Sequence, residues 1–248
     1  MDIERKAEPK VKKKIRVRYT LFVVFLVLFA ALTFAVQKVD VQTYQPKEYL
    51  SEEAAAYEGT APQIGLASIN LKVQEKLGEN ELCYKITKLI GYFALATVPC
   101  FGLLGLAQLV RKKRVDGDLW ALLVHYVLVA GCYVAFEKYI VNYRPVLEEG
   151  VLEASYPSSH TMLAVALLGA AVVQMKKRIR VKPLRWFVDF VLIVLILAMV
   201  AGRMVSGIHW MTDILGGVLI GLALVNLYAA VFTQIRRAQK KKAKKHRR

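Results

Sequence analysis

Cysteine is scarce in this chain: 3 residues in 248, at positions 83, 100 and 132. Three scattered thiols make neither a disulfide framework nor a metal-ligand set. Cys100 and Cys132 fall inside apolar stretches and read as small apolar fillers. Acidic residues are also few, 19 against 36 Lys and Arg, for a formal net charge of +17. Such an excess could signal nucleic acid. The basic runs, such as Lys240–Arg248, instead adjoin apolar stretches and lack interleaved aromatics, so contact with anionic lipid headgroups is the better reading. No internal repeat is evident, and the chain reads as a single membrane domain.

What the sequence does have is apolar length. It is 56% hydrophobic, and six stretches carry the excess: roughly Tyr19–Val36, Lys88–Val110, Leu119–Phe136, His160–Met175, Trp186–Arg203 and Ile214–Thr233. A span needs about 20 apolar residues, with about 17 as the usual lower end. The fourth stretch is the shortest by that measure. The expected fold is therefore all-α, a polytopic membrane bundle of six transmembrane helices.

The cations orient it. Of the Lys and Arg residues, 8 lie in residues 1–18, 4 in Arg111–Arg114, 6 in Lys176–Arg185 and 9 from Arg236 onward, all on one side of a six-span arrangement. Cytoplasmic loops carry such excesses, so both termini are expected to be cytoplasmic and the segments 37–86, 137–159 and about 204–213 to face outward. The organisation read from this is a basic N-terminus (1–18), a retained first anchor (19–36), an extracytoplasmic segment (37–86), a core with five spans (87–233) and a basic tail (234–248). Within 37–86, Ile69, Leu71, Val73, Leu77 and Leu82 mix with charged positions, which suggests a short interfacial helix leading into the second span. Gly217 and Gly221 open the sixth span as a Gly-x-x-x-Gly pair, a close-packing face.

Three polar clusters should meet at the outward face. The first is Glu137–Pro145, containing Lys138 and Arg144. The second is Ser155–His160, and the third Arg203–Asp213. In the third, Asp213 would lie one helical turn beyond His209, where a carboxylate can hold an imidazole in one tautomer. Arg203 adds a planar cation suited to phosphate oxygens. In the second, Pro157 ends the loop and Ser158 can cap a helix whose first N–H groups attract anions. His160, in that first turn, could protonate a departing oxygen. Nucleophile, orienting acid, proton donor and anion clamp together point to phosphoryl transfer.

The clusters resemble the signature of the type-2 phosphatidic acid phosphatase family, whose core also occurs in vanadium-dependent haloperoxidases. That signature is Lys-x6-Arg-Pro, Pro-Ser-Gly-His and Ser-Arg-x5-His-x3-Asp. Here Arg144-Pro145, Pro157-Ser158-Ser159-His160 and Arg203-x5-His209-x3-Asp213 match, over roughly residues 90–233. Ser159 replaces the glycine and Gly202 the serine. The first motif departs further: five residues separate Lys138 from Arg144, and Glu137 stands at the expected lysine position. One residue on a helix is a rotation of about 100°. Lys138 is thus either a phosphate ligand on a flexible stem or an interfacial snorkelling lysine.

The resemblance implies that His209 is the nucleophile, Asp213 its orienting acid and His160 the acid and base. Arg144, Arg203, Lys138, Ser158 and Ser159 would hold the phosphate, with no metal and no cofactor. It implies a bacterial inner-membrane enzyme acting on a lipid phosphate or diphosphate, such as phosphatidate, phosphatidylglycerol phosphate or undecaprenyl diphosphate. Two other readings stay open from the sequence: a lipid phosphotransferase, and a non-catalytic protein binding lipid or haem, the latter through His125.

Overall fold

The computed structural model describes residues 2–50 and 59–245, with side chains described for 8–50 and 59–243; the end of the Lys240–Arg248 run lies outside them. Its helices are α1 (Asp2–Lys38), α2 (Ala67–Leu77), α3 (Glu81–Lys112), α4 (Gly117–Lys138), α5 (Ser159–Arg178), α6 (Lys182–Val205) and α7 (Met211–Lys245). All but α2 are long and apolar enough to cross a membrane. The chain is a multi-pass, all-α membrane bundle, as its six apolar stretches required.

Helices α5 and α7 form the centre. In each, 61% of the most apolar stretch is buried, against 11% in α1 and α6. The outer helices instead present large apolar side chains outward, among them Leu89, Leu103, Val127, Phe187 and Leu197. Bilayer takes the place of a protein partner on those faces. The fourth stretch looked marginal because it is not lipid-facing. It needs small side chains for close packing rather than bulk apolarity, and Ala164, Ala166, Ala170 and Ala171 are all buried. The glycine pair of α7 serves the same fit. A β-carbon at Gly217 would fall 2.8 Å from the Ser158 carbonyl oxygen, and one at Gly221 2.8 Å from Val165. The expected packing face is there, and it lies against α5.

Helix α1 is more than an anchor, since it packs along α7. Arg18 donates to Asn226 Oδ1 (2.6 Å), the Phe29 ring stacks on Tyr156 at 5.8 Å, and Thr33 Oγ1 meets the Tyr156 hydroxyl at 2.9 Å. Tyr156 directly precedes Pro157, so the first helix braces the start of the second polar cluster.

The two ends of the bundle differ. One carries the basic turns and the ends of α1 and α7, where Glu8 pairs with Arg237 and with Lys241 (2.8 Å). There the fully buried Asp118 pairs with Lys177 and Arg178, and Asp116 with Lys177 at 2.7 Å. The other end carries residues 39–50, 59–80, 139–158 and 206–210. Short pairings lace these together: β1 (Gln42–Thr43) runs antiparallel to β3 (Gln63–Ile64), and β2 (Lys47–Glu48) parallel to β4 (Val146–Leu147).

The segment between α1 and α3 is therefore a cap, not just a lead into the second span. Gln74 of α2 donates to the Gly207 carbonyl at 2.8 Å, and Asn70 exchanges hydrogen bonds with Thr212. Tyr44 donates to the Arg144 carbonyl (2.7 Å), and Tyr49 to that of Ser206 (3.0 Å). Every polar cluster except the second is tied directly to this cap.

Candidate active site

The loop between α4 and α5 folds back on itself. Tyr143 bridges antiparallel to Ala154, the Arg144 N–H donates to the Glu153 carbonyl, and the Ser155 N–H to that of Asn142. This hairpin sets the first cluster beside the second. The third is brought up by two bonds: the Ser158 N–H donates to the Asp213 carbonyl (2.9 Å), and Trp210 Nε1 to the Tyr143 carbonyl (2.8 Å).

His209 does not lie on a helix, contrary to the reading that placed it on the same helical face as Asp213. It occupies the turn 206–210, and α7 begins at Met211. That turn needs Gly207, whose φ is +77° and where a side chain would strike Glu79. His209 Nδ1 is consequently 3.9 Å from Asp213 Oδ2, and Ser155 closes the gap. Its hydroxyl donates to Asp213 Oδ2 (2.5 Å) and lies 3.0 Å from Nδ1. With that hydroxyl proton committed to the carboxylate, Nδ1 must carry its own proton, and the Nε2 lone pair is left free. Asp213 is fixed by two more donors, the Trp210 N–H (2.9 Å) at the start of α7 and Asn142 Nδ2 (3.0 Å).

His209 is 2% exposed. Burial, then the charges of Arg144, Arg203 and His160, hold its pKa well below the ordinary histidine range. The ring is therefore neutral at physiological pH, as a nucleophile must be.

Around it stand polar atoms that have no hydrogen-bond partner although they are buried: His209 Nε2, His160 Nδ1, Arg203 Nε and Nη2, and Arg144 Nε. Such atoms are costly to leave unmet. Arg203, in the last turn of α6 and 1% exposed, pairs with no carboxylate among the described residues, and its guanidinium lies 5.3 Å from the centroid of the Tyr84 ring. Arg144 is held from two sides, by Glu148 and by Glu153 (2.8 Å). The Tyr84 hydroxyl donates to the same Glu148, so Tyr84 links the two arginines.

Helix α5 begins at Ser159, but Ser158 does not cap it as expected. Its side chain makes no cap bond and instead meets Thr161 Oγ1 at 3.1 Å. The backbone N–H groups of Ser159 and His160 stay free at a helix N-terminus. Ser159 lines a crevice with His209, Ser155 and Glu137. The structure thus gathers His209, Asp213, His160, Arg144, Arg203, Ser158 and Ser159 at one end of the bundle. Lys138 is not joined to them: it is exposed in the last turn of α4, with no hydrogen bond or ion pair to the cluster among the described residues.

Gly202, at the family's serine position, is where α6 meets α3. A β-carbon there would lie 2.6 Å from Thr87 Cγ2. His125 sits elsewhere, in the middle of α4, with Nε2 3.1 Å from the Ala166 carbonyl and its ring beside Tyr228. It is a bundle histidine, away from His160 and His209. Residues that sequence reasoning did not single out are Asn142 and Ser155, which lie inside the motif strings, and Tyr84, Lys88, Glu148 and Glu153, which carry no motif.

These features define a multi-pass membrane protein with a buried cluster of histidine and arginine side chains at one end of its bundle. Residues 118–237 match the model of the PAP2 superfamily. The fold is also that of a PAP2-type phosphatidylglycerolphosphate phosphatase from Bacillus subtilis, with a TM-score of 0.55 at 20% identity, covering 90% of this chain and 96% of that one. LpxE of Aquifex aeolicus aligns over 64% of this chain and 93% of its own, at 19% identity and a TM-score of 0.41. No curated protein sequence matches the chain.

Proposed function

We propose that this protein is a membrane lipid phosphatase that hydrolyses a phosphomonoester or diphosphate through a phosphohistidine on His209. The observation that carries the reading is the set of unmet buried atoms: His209 Nε2, His160 Nδ1, Arg203 Nε and Nη2, and Arg144 Nε. A tetrahedral phosphate offers one electrophilic centre to the lone pair and several oxygens to the donors.

In this mechanism His209 Nε2 attacks phosphorus, and the bond to the lipid oxygen breaks. Arg144, Arg203 and the N–H groups of Ser159 and His160 receive the charge spread over the non-bridging oxygens. The Nδ1 proton of His209 stays on the ring and is donated to Ser155 Oγ, and the Asp213 carboxylate behind it stabilises the cationic ring as the N–P bond forms. His160 gives a proton to the departing oxygen. The entering phosphate supplies the negative charge that a protonated His160 needs among the arginines. His160 then accepts a proton from the water that attacks phosphorus and releases His209.

The positive-inside pattern supports an outward-facing site with both termini cytoplasmic. A phosphate at the rim of the bundle can stay wet while acyl or prenyl chains remain in the bilayer. Phosphatidate, phosphatidylglycerol phosphate and a polyprenyl diphosphate such as undecaprenyl diphosphate fit that geometry, and the second is what the similar B. subtilis protein is described as acting on. Purified protein is expected to release inorganic phosphate from at least one of these three in the presence of EDTA. Absence of turnover on all three, or activity that EDTA abolishes and a divalent ion restores, would contradict the reading.

Ser155 is a positioning residue in this scheme, because it touches His209 and Asp213 rather than phosphate. Ser155→Ala should lower kcat by about 100-fold with KM little changed, and Ser155→Thr should restore most of it. Steady-state kinetics on a soluble short-chain phosphatidate reads both. Equal losses for Ala and Thr, carried by KM, would remove Ser155 from this role.

A further inference from the structure

We propose that Lys88 is a phosphate-binding residue of this site, its ammonium reaching in from α3 to serve as the third cation on the phosphoryl group. The inference rests on the phosphatase reading and adds a residue that no part of the three clusters contains.

Tyr84, Lys88 and Gly91 occur at helical spacing and share one face of α3. At the level of Gly91 that face touches His160: a β-carbon built on Gly91 would lie 3.0 Å from His160 Cδ2 and 3.7 Å from Nε2. Two turns nearer the capped end, at Tyr84, it touches Arg203, whose guanidinium lies 5.3 Å from the ring centroid. Lys88 stands between these levels, with Nζ 4.3 Å from the centroid of the same ring. Among the charges acting on His160 are those of Arg203, Arg144 and Lys88.

The charge balance gives the site its sign. Arg144 is matched by Glu148 and Glu153. Lys85, exposed on α3 one turn before Lys88, is matched by Glu81 at 2.7 Å. Arg203 and Lys88 have no carboxylate partner among the described residues, yet both approach the same aromatic ring. Two cations without carboxylate partners around one ring, both acting on His160, favour an anion among them. The Tyr84 face supplies some of the missing attraction while no anion is bound. The acceptor best matched to two cations and the imidazole of His160 is a phosphate with several oxygens, and a lysine on a four-carbon stem can follow it through the displacement.

The test uses the full-length protein in detergent, with a short-chain phosphatidate as substrate and orthovanadate as a phosphate-like probe. Lys88→Met should lower kcat/KM by about 100-fold, the cost of removing one charged donor from such a site, and weaken vanadate inhibition to a similar degree. Lys88→Arg should keep a cation in place and recover most of both. Lys85→Met should behave as wild type. A Lys88→Met protein that melts at the wild-type temperature and retains wild-type kcat/KM and vanadate inhibition would overturn the proposal and leave Lys88 an interfacial lysine. So would a Lys88→Arg protein as impaired as a folding-defective Lys88→Met. His209→Ala runs in parallel: if it stays active, the phosphatase reading itself fails, whereas an inactive His209→Ala beside an unaffected Lys88→Met rejects the lysine alone.

Discussion

His209→Ala is expected to leave no measurable phosphate release from a lipid phosphate, a loss of at least about 10⁴-fold, on the scale seen when a covalent nucleophile is removed. Among the described residues, the His209 imidazole is the group that combines a free lone pair with a secured tautomer. Its Nδ1 is committed to Ser155, and its Nε2 is buried with no partner. Alanine leaves the arginine cluster in place, so binding of an unhydrolysed lipid phosphate should survive while turnover does not. His160→Ala should be nearly as damaging for substrates with a poor leaving group, because the departing lipid alkoxide then has no proton donor. An aryl phosphate, whose leaving group needs little protonation, should lose less activity with His160→Ala than with His209→Ala. Equal losses on both substrates would contradict the acid role given to His160.

Arg203→Lys is expected to cost kcat/KM about 100- to 1000-fold, although it keeps the charge. Arg203 is 1% exposed, with Nε and Nη2 unpartnered. A planar fork can present two parallel donors to phosphate oxygens; an ammonium on a shorter stem offers a single point charge. The lysine would also lose its stacking on Tyr84 and leave space at the end of α6. Kinetics on short-chain phosphatidate would show the loss in both kcat and KM. A variant within about twofold of wild type would mean that the guanidinium geometry is irrelevant, and Arg203 would then be a structural cation.

The bundle was legible because lipid-facing helices advertise themselves. The stretches of α3, α4 and α6 were read within about seven residues of their observed bounds, whereas α1 continues through the basic N-terminal residues to Asp2, well before the apolar stretch at Tyr19. α5 was the weakest signal and proves the most enclosed, since a helix packed among helices trades bulk for alanine and glycine. The cap over the site end was illegible for a different reason. Its strands are two residues each, held by backbone pairing to distant loops and by side-chain bonds such as Tyr44 to the Arg144 carbonyl. Local periodicity carries no trace of such contacts.

The site divides along the same line. Residues at fixed spacing, Arg203, His209 and Asp213, could be placed from the string alone. Their connection could not, because the spacing suggested a helical turn and the chain instead uses a glycine turn with Ser155 as a bridge between imidazole and carboxylate. Thr87, Tyr84 and Lys88 carry no motif and arrive from another helix. Only packing shows that Thr87 fills the space beside Gly202 and that Lys88 faces the cluster while Lys138 remains outside it.

The central claim is a covalent bond between His209 and phosphorus. Enzyme mixed with lipid phosphate labelled in its phosphoryl group, stopped within milliseconds in alkali and examined by peptide mass spectrometry, should carry phosphate on His209, stable in base and lost in acid. The label should be absent from His209→Ala and should persist longer in His160→Ala, where water attack lacks its base. A wild-type enzyme that turns over under these conditions with no labelled histidine, or with the label on another residue, would contradict it.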